Sequence, residues 1–325
     1  MIASHPDLSC SISTLRNIST LNQKQFSRYN IVMTLYLGCP VWSFKGWVGN
    51  FYPKGTKSAE FLREYALRLN TIEGNTTFYA IPASKTIDGW IEQTPETFRF
   101  CLKIPKAISH NGTLTDYVDR AAAFVDTMRP LASKLGPMFL QLPPSYSPKL
   151  MPDLATFLSV FPKDVRLGVE VRHLDWFEDE HRNALNKLLT DHNMARVVID
   201  TRPIRELAGD ESIKGSAYES LLEARERKPN VPVFEEVTAD FTFLRFIGHP
   251  EMGHNQPWMN EWTPRISDQL AAGKEAFVFC HSPDNYLAPY IAREFHQQIS
   301  SRIKIAPLPW DDVETPSEPY QPTLF

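Results

Sequence analysis

Eight short apolar runs, each separated from the next by enough chain for a helix, constrain the fold of this chain most strongly. The runs are nearly continuous in apolar residues, as is typical of parallel strands buried on both faces. Consecutive parallel strands need a crossover connection, so the pattern predicts an α/β fold. The predicted strands are 36–38, 70–73, 98–104, 137–142, 166–172, 195–200, 241–247 and 276–281.

The segments between these runs carry helical signals. Apolar residues repeat at spacings of three and four between Val118 and Met128, and Pro148 and Pro289 each stand where a helix would begin. Eight alternations between residues 33 and 306 match the size of a single-domain (β/α)8 TIM-type barrel. An open doubly wound sheet is the alternative, but no GxGxxG or GxxxxGK[ST] loop follows any of the runs. We therefore favour the barrel.

Composition divides the chain into three regions. Residues 1–32 are rich in Ser, Asn and Thr and are predicted to be a disordered extension, with Met1 and Met33 both open as the translation start. Residues 33–306 form the predicted barrel, in which the long connection 201–240 is either a lid or a solvated helix with a basic face. Residues 307–325 contain five prolines and are predicted to be a disordered tail.

Charge and cysteine content narrow the function classes. The chain has 38 acidic and 34 basic residues, a formal net charge of −4, so we expect no direct binding of nucleic acid. No run of about 18 apolar residues is present, so we expect no membrane span. Cys10, Cys39, Cys101 and Cys280 lack the spacing of a zinc site or redox pair and indicate reduced thiols and a cytoplasmic protein.

Polar residues at or just beyond the ends of the runs are candidates for a functional site, because the carboxyl ends of barrel strands meet at the active-site face. We assign catalytic roles to Glu73, Lys103, Glu170 and Asp200. We assign substrate-binding roles to Asn75, Gln141, Arg172, Arg245 and His281. Aromatic residues that would line the walls are Trp42, Trp47, Phe78, Tyr79 and Trp176.

Glu73 is the expected acid, base or nucleophile, since burial would raise its pKa and a nearby cation would lower it. A purely structural ion pair is the alternative for Glu73 and also for Glu170. Lys103 is expected to contact a phosphate or carboxylate together with Arg172 and Arg245, and a Schiff base is the less favoured role. These charges indicate an anionic or polyhydroxylated small ligand.

A divalent metal is the main competing chemistry. Glu73, Glu170, Asp200 and His281 are residue types that bind metals, but none has the local spacing of a metal motif, and the nearby cations would oppose a second positive charge. We therefore predict neither a metal nor another cofactor.

Several sequence blocks resemble the YecE-like family, a domain of unknown function numbered seventy-two, and in particular its YecE branch. The resemblance covers nearly all of 33–306. It implies a (β/α)8 barrel but brings no established reaction. The residues that it marks at the mouth of the barrel are Glu73, Asn75, Lys103, Gln141, Glu170, Arg172 and Asp200. The blocks are 51–53, 73–79, 98–103, 141–144, 170–173, 200–203 and 245–249.

Three functions remain open. The favoured one is an enzyme that uses acid/base chemistry on a small anionic or sugar-like substrate. The second is a non-catalytic or DNA-maintenance protein whose ending, with Gln321, Leu324 and Phe325, resembles the peptide that docks on the bacterial sliding clamp. The third is a metal-dependent isomerase or phosphodiesterase. The sequence does not decide whether the protein is catalytic.

Overall fold

A computed structural model describes residues 34–205 and 213–313. The strands in this part of the chain are β1 Leu35–Gly38, β2 Thr71–Gly74, β3 Arg99–Leu102, β4 Met138–Gln141, β5 Leu167–Glu170, β6 Ala195–Asp200, β7 Phe241–Ile247 and β8 Glu275–His281. The α-helices are α1 Phe61–Ala66, α2 Ser84–Gln93, α3 Lys106–Ser109, α4 Val118–Met128, α5 Met151–Val160, α6 Asp179–Asp191, α7 Arg202–Arg205, α8 Ser216–Arg227, α9 Gln256–Ala271 and α10 Ala288–Ser300.

The strands are parallel and follow one another in cyclic order. Six form one sheet in the order β1-β8-β7-β6-β5-β4, and β2 pairs with β3. A β-bridge between Lys103 and Phe139 links the end of β3 to β4. The amide of Glu73 in β2 donates to the carbonyl of Cys39, just after β1, at 3.0 Å. The predicted α/β class is confirmed, and this strand order is the one that a (β/α)8 barrel has.

The side chains of Asn70 and Tyr65 supplement the contact between β1 and β2. The Tyr65 hydroxyl accepts from the Cys39 amide at 2.7 Å and donates to the Thr71 carbonyl at 2.9 Å. Asn70 Nδ2 donates to the Leu35 carbonyl at 2.8 Å, and Asn70 Oδ1 accepts from the Leu37 amide at 2.8 Å. Gly38 permits the close approach, because a Cβ at that position would lie 2.3 Å from the Thr71 carbonyl oxygen. Asn70 thus replaces part of the hydrogen-bond ladder between these strands.

Asn70→Ala should therefore destabilise the protein by about 1–3 kcal/mol, because two partly buried backbone groups lose their partner. Urea unfolding would measure the loss. Asn111→Ala is a matched control, since the Asn111 amide makes a single exposed hydrogen bond, to Ala107. Equal stability of the two variants would contradict the role assigned to Asn70.

Aromatic side chains fill the interior of the ring of strands. Phe243 lies 4.8 Å from Phe279 and 5.2 Å from Phe139 between ring centroids, and Tyr36 stacks on Phe277 at 4.4 Å. These residues point inward because side chains alternate between the two faces of a strand. They form an apolar floor beneath the polar strand ends.

The packed chain extends beyond the predicted boundary at residue 306. Leu308 and Trp310 are buried, and the Trp310 ring lies 4.9 Å from Phe51. The Trp310 amide also donates to the Arg68 carbonyl at 3.2 Å. The prediction of a disordered tail from 307 is therefore wrong for residues 307–313, because two large apolar side chains between the prolines pack against the fold.

Three predicted features lie wholly or partly outside the described residues. These are the extension 1–32, the rest of the tail including Gln321, Leu324 and Phe325, and residues 206–212 of the connection 201–240. Within the described ranges, no helix has the length and apolar character that crossing a membrane requires. The cytoplasmic location stays a prediction.

Candidate functional site

A buried ion-pair network lies at the carboxyl ends of the strands, centred on Arg245 of β7. Arg245 Nε and Nη2 donate to the two carboxylate oxygens of Glu73 at 2.8 and 2.9 Å. Its Nη1 donates to Glu170 Oε2 at 2.5 Å. Asn75 Nδ2 and His281 Nε2 lie 2.7 and 3.1 Å from the Glu73 carboxylate. One guanidinium therefore joins two carboxylates that lie far apart in sequence.

Glu170 begins a second chain of contacts that ends at Lys103. Arg172 Nε donates to Glu170 Oε1 at 2.7 Å, and Arg172 Nη2 donates to Gln141 Oε1 at 2.6 Å. Lys103 Nζ donates to the same oxygen at 2.8 Å and lies 3.8 Å from the Phe78 ring centroid. The predicted catalytic and substrate-binding residues other than Asp200 therefore meet at one end of the ring of strands.

The two glutamates of the network are held ionised. Burial raises the pKa of Glu73, but Arg245 and His281 lower it well below its ordinary value. Burial likewise raises the pKa of Glu170, whereas Arg245 and Arg172 bring it down to about 2. Each Glu73 oxygen already has two neighbouring nitrogen groups. These contacts favour a structural ion pair for Glu73 over a role in proton transfer.

Lys103 and His281, unlike the two glutamates, are shifted towards their uncharged forms. Burial and the nearby Arg245 lower the pKa of Lys103 to about 7, although Glu170 and Glu73 act against this shift. Burial lowers the pKa of His281 to about 4, with Glu73 again opposing. His281 is therefore neutral at pH 7 and donates its Nε2 proton to Glu73. Lys103 exchanges a proton near neutral pH, as a general acid or base requires.

A pocket of about 450 Å³ opens above this network. Six lysine or arginine side chains line it, and none of the described residues in its lining is an aspartate or glutamate. The cations are Lys103, Lys106, Arg172, Arg227, Lys228 and Arg245. Glu170 and Glu73 match Arg172 and Arg245, and Glu223 lies 3.5 Å from Arg227. The lysines Lys103, Lys106 and Lys228 therefore give the pocket its positive charge.

Sequence reasoning missed Lys106, Arg227, Lys228 and His110. Lys106 begins α3, which follows β3, and His110 comes directly after this helix. Arg227 ends α8 in the long connection, and Lys228 comes directly after it. Burial and Arg245 lower the pKa of Lys228 to about 8. The basic end of α8 was the available signal, but the sequence did not show that it faces the strand ends.

The structure does not bring Asp200 to the pocket. Asp200 receives hydrogen bonds from Arg202 Nη2 and Trp262 Nε1, each at 2.7 Å, and Arg202 also pairs with Glu261. Ile199 and Asp200 are adjacent in β6 and point to opposite faces, with Asp200 against α9 outside the ring of strands. Its expected catalytic placement is therefore wrong.

The predicted metal alternative does not match this geometry. Asp200 is turned away from Glu73, and Arg245 occupies the space between Glu73 and Glu170. Among the described residues, no cluster of three or more His, Cys, Asp or Glu side chains has an arrangement suited to a metal ion. The four residues considered from the sequence as metal ligands therefore do not come together in one metal site.

The aromatic wall predicted from the sequence is only partly present. Phe78 and Tyr79 line the pocket. Trp47 and Trp176 are fully buried in the core, where their indole nitrogens donate to backbone carbonyls. These tryptophans stabilise the fold and do not reach the pocket.

Comparison with known proteins identifies the family. The family model described as "Protein of unknown function DUF72" matches residues 36–313. The chain belongs to this family. It is 33% identical to the UPF0759 protein YecE of Escherichia coli strain K12, over 90% of this chain and all of that protein. It is 26% identical to the UPF0759 protein YunF of Bacillus subtilis, over 75% and 87% of the respective chains.

Solved structures support the fold. A DUF72 family crystal structure from Enterococcus faecalis has a TM-score of 0.58 and 20% identity, covering 82% of this chain and 96% of its own. One from Thermotoga maritima has a TM-score of 0.57 and 21% identity, covering 82% of this chain and 99% of its own. At these identities the similarity establishes the fold alone.

Proposed function

We propose that this DUF72 protein is an enzyme whose cationic pocket binds a small anionic substrate, such as a sugar phosphate, and that Lys103 transfers the proton. The single observation that supports this best is a pocket lined by six cationic groups and by no acidic side chain among the described residues. Those of the cations that have no acidic partner repel one another, and a bound anion offsets this repulsion.

The contacts of the network divide its members into two roles. Lys103 reaches the pocket, and its Nζ hydrogen-bonds a single side-chain oxygen, that of Gln141, within the described residues. Glu73 and Glu170 lie beneath the pocket, and Arg245, which also lines it, makes short contacts with both of them. We assign them the role of holding Lys103, Arg172 and the pocket wall in place.

Lys103 exchanges its proton most readily near neutral pH, because burial lowers its pKa to about 7. The anion contact that the sequence predicted for Lys103, Arg172 and Arg245 is retained in modified form. Arg172 and Lys228 face the pocket with Lys103, whereas Arg245 is committed to the two glutamates. The substrate anion would accept hydrogen bonds from these groups and bring its reacting atom within reach of Lys103.

Binding of anions tests the pocket directly. Inorganic phosphate at about 100 times its dissociation constant should stabilise the fold by about 2.7 kcal/mol, and sodium chloride at equal ionic strength should not. Lys228→Met should weaken phosphate binding at least tenfold without unfolding the protein, because no hydrogen bond to its Nζ is found among the described residues. Thermal unfolding over a phosphate titration would measure both effects.

The control is Lys304→Met, which removes an exposed lysine that does not line the pocket. It has the same change in net charge as Lys228→Met. If the two variants bind phosphate equally well, the pocket is not the anion site. If chloride and phosphate stabilise the wild-type protein equally, the effect is general screening and the proposal fails.

A further inference from the structure

A second concave surface, of about 380 Å³, adjoins the cationic pocket. The pocket and this second surface are continuous, because both are lined by Phe78, Tyr79 and Lys106. The additional residues that line this second surface are Ala80, Ile81, Pro105, Ala107 and Asn111. It is thus a mainly apolar groove that opens from a positively charged pocket.

Two large apolar side chains of this groove are exposed to solvent. Tyr79 is 81% exposed and Ile81 is 55% exposed. The Tyr79 and Phe78 rings are perpendicular, with centroids 5.2 Å apart, and the exposure of Tyr79 leaves most of its ring surface open to solvent. Neighbouring exposed apolar side chains beside a pocket are typical of a binding surface.

The backbone that carries Tyr79 is fixed from below. Thr77 Oγ1 contacts both the Gly74 and Lys103 carbonyls, at 2.9 and 2.7 Å, and Thr77 is fully buried. The Tyr79 amide donates to the Thr76 carbonyl at 3.1 Å. The turn that carries the exposed ring is therefore attached rigidly to β2 and β3, which limits the backbone ordering that binding would require.

We propose that the substrate of the cationic pocket is a mononucleotide-like compound, with its phosphate among the cations and its planar base stacked on Tyr79. This inference rests on the proposed function and adds the chemical class of the substrate. A flat π-system matches an open aromatic face, and a base joined through a sugar to a phosphate joins a planar group to an anion. Asn111 supplies a polar group for the edge of the base.

Calorimetric titration of three probes would test the stacking site. Adenosine 5′-monophosphate should bind about tenfold more tightly than ribose 5-phosphate, because only the former has a base to stack. Adenosine, which lacks the phosphate, should bind more weakly than either. Tyr79→Ala should remove the difference between the two phosphates, and Tyr79→Phe should keep it. Val160→Ala, at a residue 53% exposed on α5, is the control for loss of exposed apolar surface.

The outcomes separate this inference from the proposed function. If both phosphates bind equally well, or if Tyr79→Ala leaves their ratio unchanged, the stacking site is refuted while the anion pocket stands. If neither compound nor inorganic phosphate binds, both proposals fail. If a single-stranded oligonucleotide binds and the mononucleotide does not, the groove serves a polymer and the mononucleotide assignment is overturned.

Discussion

Replacing Arg245 by methionine should destabilise this protein by about 3–5 kcal/mol at pH 7, because the substitution removes the guanidinium shared by two buried carboxylates. Glu73 would keep Asn75 and His281, and Glu170 would keep Arg172, but neither set replaces the lost contacts with Arg245. Methionine is apolar and shorter than arginine, so the loss combines the missing charge with the space left by the guanidinium. Urea unfolding would measure it.

The pH dependence of this loss distinguishes its cause. In the wild-type protein the pKa of Glu170 is lowered from 4.5 to about 2, so its stabilising contribution is present above pH 4.5 and is lost as the pH falls towards 2. In Arg245→Met, burial without the guanidinium raises the pKa of both carboxyls, which then become protonated in mild acid. The penalty should therefore be smaller at pH 5 than at pH 7. His281, with a pKa of about 4, stays mostly neutral over that range.

A second substitution provides the control. Glu73→Gln in the Arg245→Met background removes one of the two carboxylates that have lost their guanidinium partner. It should therefore recover part of the lost stability at pH 7. The same Glu73→Gln in the wild-type protein should be destabilising, because it leaves Arg245 with one carboxylate fewer. A penalty that is independent of pH, together with an absence of rescue, would mean that Arg245 acts through packing alone.

Position near the carboxyl end of an apolar run accounts for much of what the sequence predicted correctly about the site. Cys101 and Lys103 lie on one face of their run, as do Phe243 and Arg245. The structure places Cys101 and Phe243 inside the ring of strands and both cations at its carboxyl end. Position at the end of an apolar run was thus sufficient to find them.

The alternation of side chains along a strand would have excluded Asp200. Val197 lies inside the ring of strands, so Ile199 shares its face and Asp200 points outward. The prediction used closeness to the strand end and not the alternation. The resemblance to known sequences did not correct this, because it marks a position without giving the direction of the side chain.

Other features depend on contacts that no local pattern encodes. Glu73 and Arg245 are 172 residues apart, so the sequence did not reveal that the carboxylate is bound at both oxygens. Lys228 enters from the long connection, where spacing carries no information on the direction of a side chain. Because both Glu73 oxygens are hydrogen-bonded, we assign the proton-transfer role to Lys103 and not to Glu73.

Lys103→Met should have two opposite effects: it should stabilise the fold at pH 7 and weaken the binding of anions. The pKa of Lys103 falls from 10.5 to about 7 on folding, so the folded protein binds fewer protons than the unfolded chain between those values. Stability contributed by this group therefore rises with pH across that window. Methionine removes the cost of burying the charge, and Arg172 still donates to Gln141.

Sulfate is the appropriate anion for the second effect, because its charge does not change near neutral pH, whereas that of phosphate does. Sulfate should bind the wild-type protein less tightly as the pH rises through about 7, since Lys103 loses its proton there. Lys103→Met should bind sulfate at least tenfold more weakly at pH 6 and should lack this step. Isothermal titration between pH 6 and pH 8 would measure both.

Lys228→Met serves as the matched variant, because the pKa of Lys228 is about 8 and the step near pH 7 should persist without it. A wild-type affinity that is constant from pH 6 to pH 8 would show that Lys103 does not contact the anion. A loss of stability in Lys103→Met at pH 7 would show that its contacts with Gln141 and Phe78 outweigh the cost of burial. A stabler variant that has lost anion binding would be typical of a functional site, where a group needed for chemistry is retained at the expense of the fold.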